Sequence, residues 1–215
     1  MEISFNTGSG SLRGEELALE LKGNSGSGNV ALKNTTGDFK LNTGSGDMEL
    51  TGFKGEVSAN SGSGDIIVDG ATDAEVKVNV GSGNIKIYNA TGRFSANSGS
   101  GNVKVDKLIL TDKSAFNSGS GDVKIELAAS PAYSLSINSG SGDAILDFAG
   151  NKMEGTVVMT ANKKNGDIRA PFAFDKTEEI DDDDNQVRIR KTKKLSDKDI
   201  QIKIGTGSGN AVVEK

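Results

Sequence analysis

Cysteine, histidine and tryptophan are absent from the 215 residues, and proline occurs only twice. Without cysteine there is no disulfide and no thiol nucleophile; without histidine there is no imidazole base and the commonest transition-metal ligand is missing. Hydrophobic residues make up 34% of the chain and aromatics 5%, too few large side chains to fill one thick globular core. Lysine and arginine number 25 against 30 aspartates and glutamates, for a net charge of −5. That balance supplies no cationic surface for a phosphate backbone, so nucleic acid is not an expected partner. No apolar run is long enough to cross a bilayer and no apolar leader follows Met1, so membrane contact is expected only through an anchor that this sequence does not contain.

What is abundant is glycine, 29 residues of it, and it is ordered. A motif of the form NSGSGD recurs along the chain, and its last glycine falls at Gly10, Gly28, Gly46, Gly64, Gly83, Gly101, Gly121, Gly142, Gly166 and Gly209. The intervals are 18, 18, 18, 19, 18, 20, 21, 24 and 43 residues, and the copy at Gly166 is degenerate. Apolar residues alternate with polar ones on both sides of each corner, as in Val57 and Ala59 before Gly64 and Ile66 and Val68 after it. That is the period of a strand with one buried face. Two such strands cannot bury their apolar faces alone, but coils stacked on one another can. The expected fold is therefore all-β, a single-stranded parallel β-solenoid of the β-helix or β-roll type, with about ten coils of 18–21 residues. It should be right-handed, as parallel crossovers are. At ~4.8 Å per coil the rod should be roughly 43 Å long. One domain, residues 1–215, is expected.

The corner chemistry has a structural logic. Glycine is expected there because it tolerates positive φ and lets successive backbones approach closely. Four places before the last glycine stand Asn6, Asn24, Asn42, Asn60, Asn79, Asn97, Asn117, Asn138 and Asn162. Amides stacked at the coil spacing can hydrogen-bond along the rod, so these nine are expected to form a structural ladder. The middle serines, from Ser9 to Ser208, are expected to form a hydroxyl row. The residue after the last glycine is Asp, Asn or Ser, a turn-closing acceptor. Asp47 with Asp65, and Asp122 with Asp143, lie one coil apart and are the candidates for a calcium site.

Regularity fails between residues 171 and 199. There an acidic run, Asp181 to Asp184, is followed by VRIRKTKK, and FAFDKTEEI against VRIRKTK suggests a hairpin excursion turning at the acidic loop, with a divergent coil as the alternative. At the other end LRGEELALELKG reads as strand, because Leu17, Leu19 and Leu21 alternate.

The strings NSGSGDIIVDG, NSGSGNVKVDK and IKIGTGSGNAVVEK resemble the repeats of the bacterial adhesin-like family of β-strand-repeat domains. The resemblance covers nearly the whole chain. It implies a cell-envelope, surface or secreted domain without a catalytic motif, whose partner would be a surface glycan or a protein. The leading expectation is a non-catalytic extracytoplasmic scaffold with no cofactor and with end-to-end or side-to-side self-association. The alternatives are a calcium-dependent β-roll, a cytoplasmic polymer-forming β-helix, and a lattice binder of the ice-binding kind built on the column Thr7, Thr43 and Thr206. As an enzyme, only glycoside cleavage by stacked aspartates about 5 Å apart offers a chemistry.

Overall fold

A computed structural model describes residues 2–181 and 187–215, and none of them is helical. The strands are β1 (Glu2–Thr7), β2 (Leu12–Glu15), β3 (Glu20–Ser25), β4 (Val30–Lys33), β5 (Thr36–Thr43), β6 (Met48–Thr51), β7 (Lys54–Ser61), β8 (Ile66–Asp69), β9 (Ala74–Val80), β10 (Ile85–Ser98), β11 (Val103–Leu110), β12 (Ser114–Ser118), β13 (Val123–Leu127), β14 (Leu135–Ser139), β15 (Ala144–Asp147), β16 (Thr156–Asn162), β17 (Ile168–Arg169), β18 (Lys176–Asp181), β19 (Val187–Lys194), β20 (Gln201–Thr206) and β21 (Ala211–Glu214). Strands entering the glycine corner stack parallel in one sheet and strands leaving it stack in a second. The long β10 passes through both.

Alternation places the same columns inside at every storey. Leu21 pairs with Phe39, Phe39 with Val57 and Val57 with Val76, and all four are buried. Across the rod Val30, Met48 and Ile66 do the same. The core is one continuous line of such residues, thin in section and as long as the rod. It is thus assembled from medium-sized side chains that a spherical core of this length could not have used efficiently.

The parallel solenoid is as expected, but it has about eight regular turns rather than ten. From Gly10 to Gly142 chain order and spatial order agree. The last two storeys are exchanged: β20 lies between β14 and β16, and β21 between β15 and β17, all parallel. The storey of Gly209 therefore sits directly on that of Gly142, with Gly166 outside it. A Cβ at Gly207 or Gly209 would collide with the carbonyl oxygen of Gly140 or Gly142, so the inserted storey stacks on its predecessor through the same glycine contacts as the regular ones. The degenerate NKKNGD corner forms the storey outside it, where Gly166 meets Gly209 O in the same way.

The return crossing into this inserted storey is fixed by several bonds. Gly155 N–H donates to Ser196 Oγ at 2.8 Å, Leu195 N–H to Gly155 O at 2.8 Å, and Thr156 N–H to Ile200 O at 2.8 Å. The Glu154 carboxylate, 5% exposed, bridges Lys152 at 2.8 Å and Lys198. Beyond β16 the excursion forms a hairpin: β19 pairs antiparallel with β16, and β18 with β19. Asp182, Asp183 and Asp184, the expected turn, lie outside the described residues. Phe172 and Phe174 meet edge to face with centroids 5.5 Å apart and pack on the end of the core.

At the opposite corner Asn34, Gly52, Gly70 and Asn89 share a left-handed φ of 50–69°. Residues 16–19, expected within one strand, instead hold this bend, because Glu16 also has φ 54°.

Candidate functional site

The glycine corner forms a ridge along the rod, and its side chains are organised as three ladders. The innermost is made by Ser25, Thr43, Ser61, Ser98, Ser118, Ser139 and Thr206, all buried. Each hydroxyl accepts from the N–H of its own last glycine and donates to the carbonyl of the last glycine one storey below. Ser118 Oγ, for example, accepts from Gly121 N and donates to Gly101 O, both at 2.8 Å. Thr206 donates to Gly142 O at 2.8 Å, which locks the inserted storey on its predecessor. Thr43 and Thr206, which the lattice-binding expectation places on the surface, are therefore inside, because the strand alternation turns that column to the core.

The asparagine ladder lies outside. Nδ2 of each residue donates to Oδ1 of the one below: Asn24 to Asn6 at 2.7 Å, Asn42 to Asn24, Asn60 to Asn42, Asn79 to Asn60 and Asn97 to Asn79 at 2.9 Å, Asn117 to Asn97 at 2.8 Å, and Asn138 to Asn117 at 3.0 Å. Asn162 is not a member. The Gly166 corner is two residues longer than the others, so Thr160 rather than Asn162 lies opposite Gly205. Asn162 Oδ1 instead accepts from Lys164 N at 2.8 Å and Asn165 N at 3.2 Å, closing that longer turn.

The third ladder joins side chain to backbone. Asp65 N–H donates to Asp47 Oδ1 at 2.8 Å, Asn84 N–H to Asp65 Oδ1 at 2.8 Å, Asp143 N–H to Asp122 Oδ1 at 2.9 Å, and Asn210 N–H to Asp143 Oδ1 at 2.7 Å. The column requires an acceptor oxygen, which both Asp and Asn carry, and this accounts for their mixture. The structure does bring Asp47 beside Asp65 and Asp122 beside Asp143, with one oxygen of each already engaged. Partial burial pushes the Asp65 carboxyl up, but the Asn84 N–H and the Lys86 ammonium 3.4 Å away outweigh it and hold it below the ordinary range. No group of three or more carboxylates able to hold a metal ion occurs among the described residues.

Two corner expectations change. None of the corner glycines from Gly8 to Gly142 adopts a left-handed φ; the need for glycine there is close stacking alone. The middle serines, such as Ser27, Ser45 and Ser63, are exposed and make no side-chain hydrogen bond with one another. They remain available at the crest of the ridge.

One surface feature escaped the sequence reading. Glu2, Glu20, Asp38, Glu56 and Glu75 form an outward column on the entering sheet, beside Lys22, Lys40 and Lys77. The signal was present as an acid eight residues before the corner glycine in the first five repeats. Glu75 pairs with Lys77 at 2.7 Å and Arg93 at 3.5 Å, and Glu2 with Lys22.

Stacked glycine corners, internal polar ladders and a line-shaped core define a parallel β-solenoid scaffold. The chain belongs to the Toastrack DUF4097 family, which matches residues 14–170. The hairpin and the inserted storey fall outside that match. Comparison with curated proteins and with solved structures gave no match. Among the described residues no helix is long and apolar enough to cross a membrane.

Proposed function

We propose that the protein is a non-catalytic extracytoplasmic scaffold, an adhesin-like module of the cell envelope or surface whose corner ridge contacts a surface glycan or protein ligand. The observation that carries this reading is the storey-to-storey bonding of the ridge, which fixes its exposed serines and amides at one repeat distance. A rigid array loses little entropy on binding a repeating partner. The resemblance of the repeats to adhesin-like domains supports the compartment. The test is a binding screen of the purified chain against glycan, matrix and envelope polymers, with Ser45→Lys/Ser63→Lys as the ridge variant. Binding that the variant loses at unchanged melting temperature supports the adhesive role; no binding to any surface overturns it.

The second reading is a calcium-dependent fold, favoured only by the adjacency of Asp47 and Asp65 and of Asp122 and Asp143. Hydrogen bonds to backbone N–H groups explain these carboxylates without an ion. A melting temperature that millimolar calcium or a chelator moves by several degrees would favour the calcium reading, whereas the scaffold reading expects no shift.

A further inference from the structure

The outer face of the entering sheet changes character at the inserted storey. Up to Asn138 an asparagine stands at the corner end of each entering strand, but the next place in that column is Gly205, followed by Thr160 and then Arg190. The missing side chain leaves a groove of about 550 Å³ between Asn138 and the hairpin, walled by Val158, Thr160, Arg190, Thr192 and Lys203. Asn138 Nδ2 is spent on Asn117 Oδ1 and Ser136 Oγ. Its Oδ1, the last acceptor of the ladder, lies 2.9 Å from where a Cβ of Gly205 would stand and accepts no hydrogen bond from a described residue.

The groove is cationic although the chain carries a net charge of −5. Lys203 is exposed and makes no ion pair among the described residues. Arg190 reaches Glu178 only at 3.8 Å, and that carboxylate is held more closely by Lys176 at 2.6 Å. Arg188 adds a second guanidinium on the same side. Beneath the groove every strand is paired on both sides, β20 between β14 and β16, and β16 between β20 and β19.

We propose that this groove binds the uronate residues of an acidic polysaccharide. Each part of such a sugar meets a counterpart. Its carboxylate pairs with Lys203 and with the Arg190 guanidinium, a fork suited to carboxylates. A ring hydroxyl donates to Asn138 Oδ1, the Thr160 and Thr192 hydroxyls bond to its neighbours, and the apolar C–H face of the ring lies over Val158. A neutral glycan leaves the cations unused. An acidic peptide brings carboxylates, but its backbone finds no free strand edge to pair with. The groove lies about five storeys, roughly 24 Å, from Ser63 on the ridge. That exceeds the ~8 Å reach of a surface charge at physiological salt, so this inference and the ridge reading can fail separately.

Calorimetric titration with polygalacturonate, its fully methyl-esterified form and polyglutamate tests the proposal. Polygalacturonate should bind, more weakly as salt is raised, and the other two should bind about tenfold more weakly or not at all. Lys203→Glu should lower the affinity for polygalacturonate by about tenfold or more at an unchanged melting temperature. Gly205→Asn supplies the amide that the regular storeys carry. It should keep or raise the melting temperature while removing the binding, a combination that damage to the fold would not produce. The ridge variant Ser45→Lys/Ser63→Lys should bind as the parent does. No binding of polygalacturonate, equal binding of the ester or of polyglutamate, or parent-like binding by Lys203→Glu or Gly205→Asn would each overturn the proposal. So would loss of binding in the ridge variant, which would place the polymer on the ridge.

Discussion

The first storeys and the last storeys of this rod are built from the same motif but stand in different relations to it. From Gly10 to Gly142 each coil rests on the one before it in the chain, and every ladder advances one repeat per storey. Past Phe148 the chain skips a level, builds β16, β17 and the hairpin, and then returns to fill the level it skipped. The regular part is thus ordered by sequence proximity, whereas in the far part a storey late in the chain is inserted beneath an earlier one. The inserted corner keeps glycine at both positions, at Gly207 and Gly209, whereas the outer corner carries Lys163 and Lys164 and is two residues longer.

The contrast can be broken most strongly at the glycines. A Cβ at Gly26 would collide with Gly8 O, whereas a Cβ at Gly8, in the same column at the first storey, meets nothing within 4 Å. Gly26→Ala should lower stability by about 3 kcal/mol and Gly8→Ala by less than about 0.5 kcal/mol, read as urea midpoints at constant slope. Equal losses would show that backbone stacking is not what the corner requires. A smaller effect is expected in the amide ladder. Asn97 both donates to Asn79 and accepts from Asn117, so Asn97→Ala should cost about 1–2 kcal/mol. Asn138, where the ladder ends at Gly205, should cost about half as much.

A gain is expected at the back corner. Thr35 is 1% exposed in the column of Leu17, Phe53, Ala71 and Ala90, and its Oγ1 makes no hydrogen bond. Thr35→Val keeps the shape and removes a buried unpaired hydroxyl, and should raise stability by about 1 kcal/mol in the same denaturation assay. The smallest effect is local and separates the two ends by pH. Of the eight carboxylates held below their ordinary range, Glu154, Asp167, Asp175, Glu178 and Asp197 belong to the far part. Hydrogen bonds from Lys152 and Lys198 lower Glu154, and one from Lys193 lowers Asp175. A depressed folded value stabilises above the ordinary carboxylate range and loses that stabilisation as pH falls through the depressed value. Between pH 7 and about pH 3, amide protection factors, corrected for the intrinsic exchange rate, should therefore fall more in β16 and β20 than in β7 and β9. Glu154→Gln should reduce the difference, and uniform acid loosening would contradict the assignment.

Much of this was legible before any coordinates. The alternation around each corner marks the inward residues, and Gly14, Gly23 and Ser114, which interrupt the apolar columns, lie on the same inward side. Eight of the nine expected ladder asparagines stack as the spacing implied. Asn162 does not, because counting back from Gly166 assumed a corner of standard length and that corner holds two more residues. The hydroxyl column looks like a surface feature from its spacing, whereas each Ser or Thr is a bracket between storeys. The information needed was its parity relative to the inward Leu41 and Ala59, two places before Thr43 and Ser61.

What the sequence determined by itself was the storey: a corner that only glycine allows, two alternating strands, and polar residues placed to bond with their own kind one repeat away. Those are short-range demands that each repeat states in full. The order of the storeys was decided only in three dimensions. β20 and β16 present the same alternation in the same register, so pairing with β14 does not distinguish them locally. The choice falls to contacts between residues 64 or more positions apart, among them Thr206 on Gly142 O and Asn210 on Asp143.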